Sequence, residues 1–293
     1  MDMTEPSQTM ADFDTITNRL IGLYGDPSEE FGCKIHSSST ARNGPHGNDE
    51  AVDVLVETIL SQNTTDKNSH IAFLNIKQRW PLWSQVIKCD EKDLADAIRI
   101  GGLAVIKAAR IKKILNTLYE HTVEHDPKHA ATEPTLHFLD DITSDSEVLA
   151  RLQELPGVGP KTAACTALFG LGRKCFPVDT HIYRITVKMG LAKPGSRESV
   201  QTELEDLIPA HLKFPLHLLL IEHGRHVCTA RQAMCGSCVL ADLCATGRKT
   251  VSRRKAVKKE EKETGEPPAK KVHTDAEEVP VKAEPHVKTE AFD

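Results

Sequence analysis

Apolar residues return at helical intervals along most of this chain. Phe13, Ile16, Leu20 and Leu23 share one helical face, and the pattern stops at Gly25-Asp26-Pro27. Residues 26–48 are rich in Ser, Gly, Asn and Pro and read as a loop. Asn48 or Asp49 is placed to cap a second helix whose face carries Ala51, Val54, Leu55, Thr58 and Ile59. After Gly101-Gly102, the residues Ile111, Ile114, Leu115 and Leu118 repeat at i, i+3, i+4 and i+7. Residues 122–143 form a polar insert with two prolines. Ser144 and Glu147 make a capping box ahead of Val148, Leu149, Leu152 and Leu155. Pro160 opens a helix expected to run to about Leu168 and to stop near Gly170 and Gly172. Thr180 to Met189 reads as another. No segment alternates apolar and polar residues at the β period, so the expected fold class is all-α.

Composition changes this picture at the C-terminal end. From about residue 246 the chain is charged, bears prolines and is nearly free of aromatics. Such a segment cannot bury enough apolar surface to order itself, so 246–293 is expected to be a disordered tail. Residues 1–10 are expected to be disordered as well. The chain of 293 residues is 39% hydrophobic and 27% charged, which suits a globular protein of about two domains. No apolar run approaches the ~20 residues of a membrane span. MDMTEPSQTM has neither the basic nor the apolar region of a secretory signal, and Asp2 and Glu5 argue against a mitochondrial transit peptide.

Charge alone neither supports nor excludes a nucleic-acid partner. Residues 1–50 hold three Lys/Arg against nine Asp/Glu, and residues 246–293 hold twelve against ten. The remaining 51–245 are close to neutral, with 22 against 23. A neutral domain can still present a basic face.

Cysteine placement is more informative. Cys33, Cys89, Cys165 and Cys175 are isolated and read as buried small hydrophobes. Cys228, Cys235, Cys238 and Cys244 cluster in HGRHVCTARQAMCGSCVLADLC. In a compartment that keeps thiols reduced, such a cluster reads as a metal site. Four thiolates suit either a 4Fe-4S cluster or one tetrahedral zinc ion, and the single short spacing favours iron–sulfur.

Two further stretches carry chemistry. LPGVGPKTAA, from Leu155 to Ala164, lies between two predicted helices. Gly157 and Gly159 permit a tight turn, and Pro160 suits a first helical position. The turn leaves backbone N–H groups at a helix N-terminus, which suits a phosphate oxygen; a plain turn between packed helices reads equally well. Lys161 sits in the first turn of that helix, where the macrodipole favours the neutral, nucleophilic amine. The plainer reading of Lys161 is a surface phosphate contact. In FPVDTHI, Asp179 is placed as an N-cap, and a capped carboxylate is held where an electrostatic or proton-transfer role becomes available.

Taken in order, LSQNTTD (Leu60 to Asp66), GLAVIKAARI (Gly102 to Ile111), LPGVGPKTA, VDTHIYR, HGR and the cysteine spacing resemble the endonuclease III family of helix–hairpin–helix DNA glycosylases. The resemblance covers roughly residues 50–245. It implies a six-helix barrel domain over 45–172 and a cluster domain combining 11–44 with 173–245. Duplex DNA with a damaged base or abasic site would bind across the cleft between them. The resemblance puts the family's catalytic lysine on Lys161, its catalytic aspartate on Asp179, and a structural 4Fe-4S cluster on the four clustered cysteines. Gln62, Asn63 and Leu103 match positions that fill the gap left by a flipped base. Gly157 and Gly159 would contact phosphate, and Arg231 is the basic residue of the loop between the first two cysteines, where relatives carry several. Glu57 stands at a spacing similar to the catalytic glutamate of adenine-specific mismatch glycosylases. Those enzymes lack the hairpin lysine, so Glu57 reads as secondary. The 122–143 insert and FPVDTH are similar to eukaryotic relatives, including plant 5-methylcytosine glycosylases.

The implied activity is excision of damaged, oxidised pyrimidines with strand nicking by β-elimination. Mismatch or 5-methylcytosine excision and a non-catalytic DNA-binding relative are the alternatives. The chain is expected to act as a monomer. Residues 248–259 hold seven Lys/Arg with no acid before Glu260, and PPAKKVH adds a second basic cluster. Both resemble nuclear-localisation signals read by import factors, so the nucleus is the expected compartment, with the mitochondrion left open.

Overall fold

The computed structural model describes residues 12–28, 49–125 and 133–253. The expectations for residues 1–10, for most of the 26–48 loop and for the tail from 254 onward lie outside the described residues.

Helix α1 spans Phe13–Tyr24, capped by Asp12, whose side chain accepts from the Asp14 N–H. Helix α2, Glu50–Leu60, is capped by Asp49, which accepts from the Ala51 N–H at 3.0 Å and, with its other oxygen, from the Leu136 N–H at 2.7 Å. The same carboxylate thus starts a helix and pins the far end of the 122–143 region. Helices α3 (Asp66–Arg79), α4 (Trp83–Lys88) and α5 (Glu91–Ala97) follow, then a 3-10 turn at Arg99–Gly101. Helix α6 runs from Ala104 to His125. Helix α7, Asp145–Gln153, is capped by Ser144, which accepts from the Glu147 N–H. Helix α8, Pro160–Cys165, continues into a π-helical turn over Thr166–Gly170. Helices α9 (Thr180–Met189), α10 (Arg197–Leu207) and α11 (Lys213–His226) follow. Among the described residues there is no strand; Cys228 and Ala233 form an isolated antiparallel bridge. None of these helices is long and apolar enough to cross a membrane.

Two apolar clusters hold these helices. The first joins α2, α3, α5, α6, α7 and α8 through Leu55, Ile59, Ile76, Leu94, Ile111 and Leu152, with Trp83 fully buried among them. The second joins α1, α9, α10 and α11 through Ile16, Leu20, Ile182, Ile185, Leu204 and Leu220. Each fully buried side chain of this size contributes roughly 1.5–3 kcal/mol relative to exposure. By contacts the chain through Val251 is one compact unit, so both clusters belong to a single body.

Four details differ from the sequence pattern. Leu23 is exposed, and α1 buries Phe13, Ile16, Thr17 and Leu20 instead. On α2, Val54 and Thr58 are only half-buried while Val52, Val56 and Leu60 are covered, because the helix is packed on more than one side. The insert starts later than residue 122: α6 continues through His125, and Thr122 is buried with its hydroxyl bonded to Leu118 O. The ordered core also extends beyond residue 245. Residues 245–253 are helical, and the Thr246 hydroxyl donates to Lys188 O at 2.8 Å.

Candidate active site

The turn at Leu155–Gly159 is shaped by what touches it. Gly157 has φ +76, and a Cβ there would lie 2.4 Å from Arg110 Nε and 2.8 Å from its Cδ. Only glycine satisfies both the left-handed backbone and this close approach. Arg110, from α6, also donates to Gln62 Oε1 at 2.7 Å, and Gln62 Nε2 lies 3.3 Å from the Thr162 hydroxyl. One guanidinium therefore links α6, the hairpin and the loop after α2.

Gln62, Gly157, Gly159 and Lys161 line one cleft of about 290 Å³. Arg110 and Thr162 also line it, together with Arg197, Glu198 and Gln201 of α10. Lys161 is half-buried, one residue after the proline that opens α8. Asp179, also half-buried, follows Val178 of the cleft wall and caps α9, accepting from the Ile182 N–H at 2.8 Å.

His217 of α11 lies within electrostatic reach of both Lys161 and Asp179. Its ring is buried against Phe169 and Phe176, and its Nδ1 lies 3.0 Å from Pro177 O. A carbonyl only accepts, so Nδ1 carries the proton and Nε2 the lone pair. Burial first, and then the Lys161 charge, push the ring down to about 4, with Asp179 opposing. The imidazole is therefore neutral beside the two groups. Cys165, one turn after Lys161, is buried; burial pushes its thiol up, with Lys161 opposing.

Asn63 and Leu103 are exposed and, among the described residues, are the two non-glycine residues with positive φ, at 53 and 50. That conformation costs a bulky residue such as leucine on the order of 1–3 kcal/mol, which the surroundings must hold in place. The buried Lys107 supplies part of that hold: its ammonium donates to Leu60 O at 2.6 Å and Gly101 O at 2.8 Å, tying the two loops together. The exposed Ile100, Val105 and Ile106 lie in the same segment as Leu103.

The motif VDTHIYR meets HGR at the base of α9. A Cβ on Gly224 would lie 2.6 Å from His181 Nδ1 and 2.7 Å from its Cβ, so α9 and α11 approach at a glycine. Arg184 reaches across to Gly224 O at 3.0 Å and Cys228 O at 2.7 Å, closing the end of α11 where the first cysteine begins. Arg225 pairs with Asp66 at the start of α3 and with Glu222.

Cys228, Cys235, Cys238 and Cys244 are all free thiols and line one pocket. The rest of its wall is largely apolar, with Ile185, Met189, Val227 and Leu240, and includes no carboxylate. Burial pushes the Cys228 thiol up, while the nearby Lys188 and Arg184 charges pull it back. No three His, Cys, Asp or Glu side chains among the described residues gather closely enough to hold a single ion. Arg231 is exposed in the loop between the first two cysteines and is not among the cleft-lining residues. Glu57 is paired with His70 at 3.2 Å on the surface of α2.

Comparison with known proteins places this geometry. The family model of the HhH-GPD superfamily of base excision DNA repair proteins matches residues 56–210, more than half of the chain. The chain belongs to the endonuclease III-like HhH-GPD family. Within it, endonuclease III of Thermotoga maritima is 30% identical over 199 residues, covering 68% of this chain and 84% of that protein. Endonuclease III of Escherichia coli strain K12 is 30% identical over 207 residues, covering 69% and 89%. An Arabidopsis thaliana protein, whose name assigns it provisionally to the DNA glycosylases, is 38% identical over 178 residues, covering 60% of this chain. The match spans 57% of that plant protein's length. Among solved structures, a trapped endonuclease III–DNA covalent intermediate superimposes with a TM-score of 0.57 at 23% identity, covering 83% of this chain and all of that one. A thermostable thymine-DNA glycosylase gives 0.56 at 18%, covering 81% and 97%. At these identities the structures establish a shared fold.

Proposed function

We propose that this member of the family is a bifunctional DNA glycosylase and AP lyase acting on damaged pyrimidines in duplex DNA. The observation that supports the reading is that Lys161 lines one cleft with the hairpin glycines, while Asp179 directly follows Val178 of the same wall and, like Lys161, acts electrostatically on His217. The cleft is at the small end of the range for ligand sites, which suits one flipped nucleotide. In this reading Asp179 accepts a proton from the Lys161 amine, and Nζ forms a bond to C1′ of the sugar. The glycosidic bond breaks, and the base leaves with its electron pair. Loss of the C1′–O4′ bond opens the ring to an iminium. Removal of a 2′ proton then expels the 3′ phosphate and nicks the strand. Gly157 and Gly159 would present backbone N–H groups to phosphate, and Gln62, Asn63 and Leu103 would occupy the gap in the stack.

We assign the cysteine pocket to a structural 4Fe-4S cluster. The donor set is four free thiols with no carboxylate, and the single short spacing, Cys235 to Cys238, suits iron–sulfur better than the paired short spacings common in structural zinc sites. When bound, the cluster would brace the loop bearing Arg231, and all covalent steps stay with Lys161.

Purified full-length protein should excise an oxidised pyrimidine from duplex oligonucleotides and nick the strand without a second enzyme. It should also contain about four iron and four sulfide per chain. Excision that leaves an unbroken abasic strand would overturn the lyase half. Stoichiometric zinc without iron, in protein prepared anaerobically, would overturn the cluster.

Nuclear import goes with this reading on the basic segments of the tail. Deleting residues 254–293 should reduce nuclear accumulation of the tagged protein while excision by the purified core persists. Unchanged accumulation would remove the tail from that role.

A further inference from the structure

His223, from the HGR stretch of α11, has a buried ring between two partners. Its Nε2 lies 3.4 Å from Cys238 Sγ, and its Nδ1 lies 3.2 Å from the Tyr24 hydroxyl at the end of α1. The Tyr24 ring stands edge-on to the imidazole, with centroids 6.2 Å apart. A ligating cysteine is a thiolate and only accepts, so Nε2 carries the proton toward sulfur. Nδ1 then holds the lone pair and accepts from the tyrosine O–H. The donor direction is thus one-way, from Tyr24 through His223 to Cys238.

The other ligands are treated differently. Cys238 Sγ also accepts from the Leu240 N–H at 3.4 Å, and Cys244 Sγ accepts from the Gly247 N–H at 3.4 Å. Cys238 therefore receives two N–H bonds and Cys244 one. His223 is the side chain that supplies such a bond among the described residues, and it reaches the pocket from another segment of the chain.

Hydrogen bonds to the ligating sulfurs are among the features that set an iron–sulfur reduction potential. They withdraw negative charge from sulfur, which favours the reduced, more negative state. Resting on the cluster reading above, we propose that His223, oriented by Tyr24, is a positioning residue that raises the reduction potential of the bound cluster through its N–H bond to Cys238 Sγ. This also gives α1 a task beyond packing, since its last residue holds the imidazole in place.

The test uses full-length protein, with iron and sulfide counted in every sample and the midpoint potential read by voltammetry. His223→Phe keeps a ring but removes the donor. It should lower the potential by about tenfold in the one-electron equilibrium, which is 59 mV. Tyr24→Phe should shift it the same way by less. His223→Gln, whose amide can donate near the position of Nε2, should recover half or more of the loss. A fully loaded His223→Phe protein at the wild-type potential overturns the proposal. If that variant fails to load iron, Tyr24→Phe decides: a downward shift supports the proposal, and the wild-type potential overturns it. Wild-type protein without iron and sulfide would instead bring down the cluster reading itself.

Discussion

Lys161→Gln should yield no covalent protein–DNA complex when borohydride is added during turnover, on a substrate where the wild-type protein gives a clear band. An imine requires a primary amine, and glutamine has none. Excision should fall by at least about a thousandfold, the scale on which loss of an attacking group is felt. No neighbour can take over. The Cys165 thiol is buried and pushed up by that burial, and His217 has its Nδ1 committed to Pro177 O. Binding to an abasic-site duplex should survive within a few-fold, because Gly157, Gly159, Gln62 and Arg110 keep their geometry. The competing view, that Lys161 only touches phosphate, predicts the reverse: weaker, more salt-dependent binding and unchanged chemistry per bound complex. A trapped complex formed by the glutamine variant would remove Lys161 from the nucleophile's role.

Such a site is legible in sequence to the extent that its parts are local. The hairpin, the lysine after it, the Asp179 cap and the cysteine cluster each sit within a few residues of their own signal. Asp49, Ser144 and Asp179 cap helices as their positions indicate. Ile111, Ile114, Leu115 and Leu118 are all fully buried, as their spacing requires. Other elements left weaker traces. Helix α3 buries only Ser69, Ala72 and Ile76, so its apolar stripe is faint. Helices α4 and α5 are too short for a repeat. Helix α11 is covered on several faces, from Pro215 and Leu216 to His223 and Gly224, so no polar face marks it.

What could not be read were meetings between distant segments. Arg110 lies 48 residues from Gln62 yet bonds to it. His217 belongs to a helix that shows no pattern, and its nearness to Lys161 appears only when α8, α9 and α11 are packed. Lys107 reads as one more charged residue of α6, but its ammonium is buried between two backbone carbonyls. The strained pair Asn63 and Leu103 has no sequence signal of strain at all; only the backbone angles show it. In each case chemistry depends on the tertiary approach of groups whose local sequence is ordinary.

The aspartate offers the sharper separation of structure from chemistry. Asp179 receives the Ile182 N–H at the start of α9, and its charge also acts on His217. Asparagine keeps a side-chain oxygen for the cap, so Asp179→Asn should unfold at nearly the wild-type temperature. Alanine loses the cap at a cost of about 1 kcal/mol, and Asp179→Ala should be measurably less stable. In the proposed mechanism both remove the anion that would accept the proton from Lys161 and balance positive charge at the sugar. Both should therefore slow excision, by about 10²- to 10⁴-fold in single-turnover rate, the usual range for a positioned acid or base. Borohydride trapping should remain detectable in both, only slower, because the amine is still present. If activity instead tracked stability, with asparagine active and alanine impaired, Asp179 would be a helix cap and nothing more. Equal loss of rate in two variants of unequal stability is the result that assigns it to the reaction.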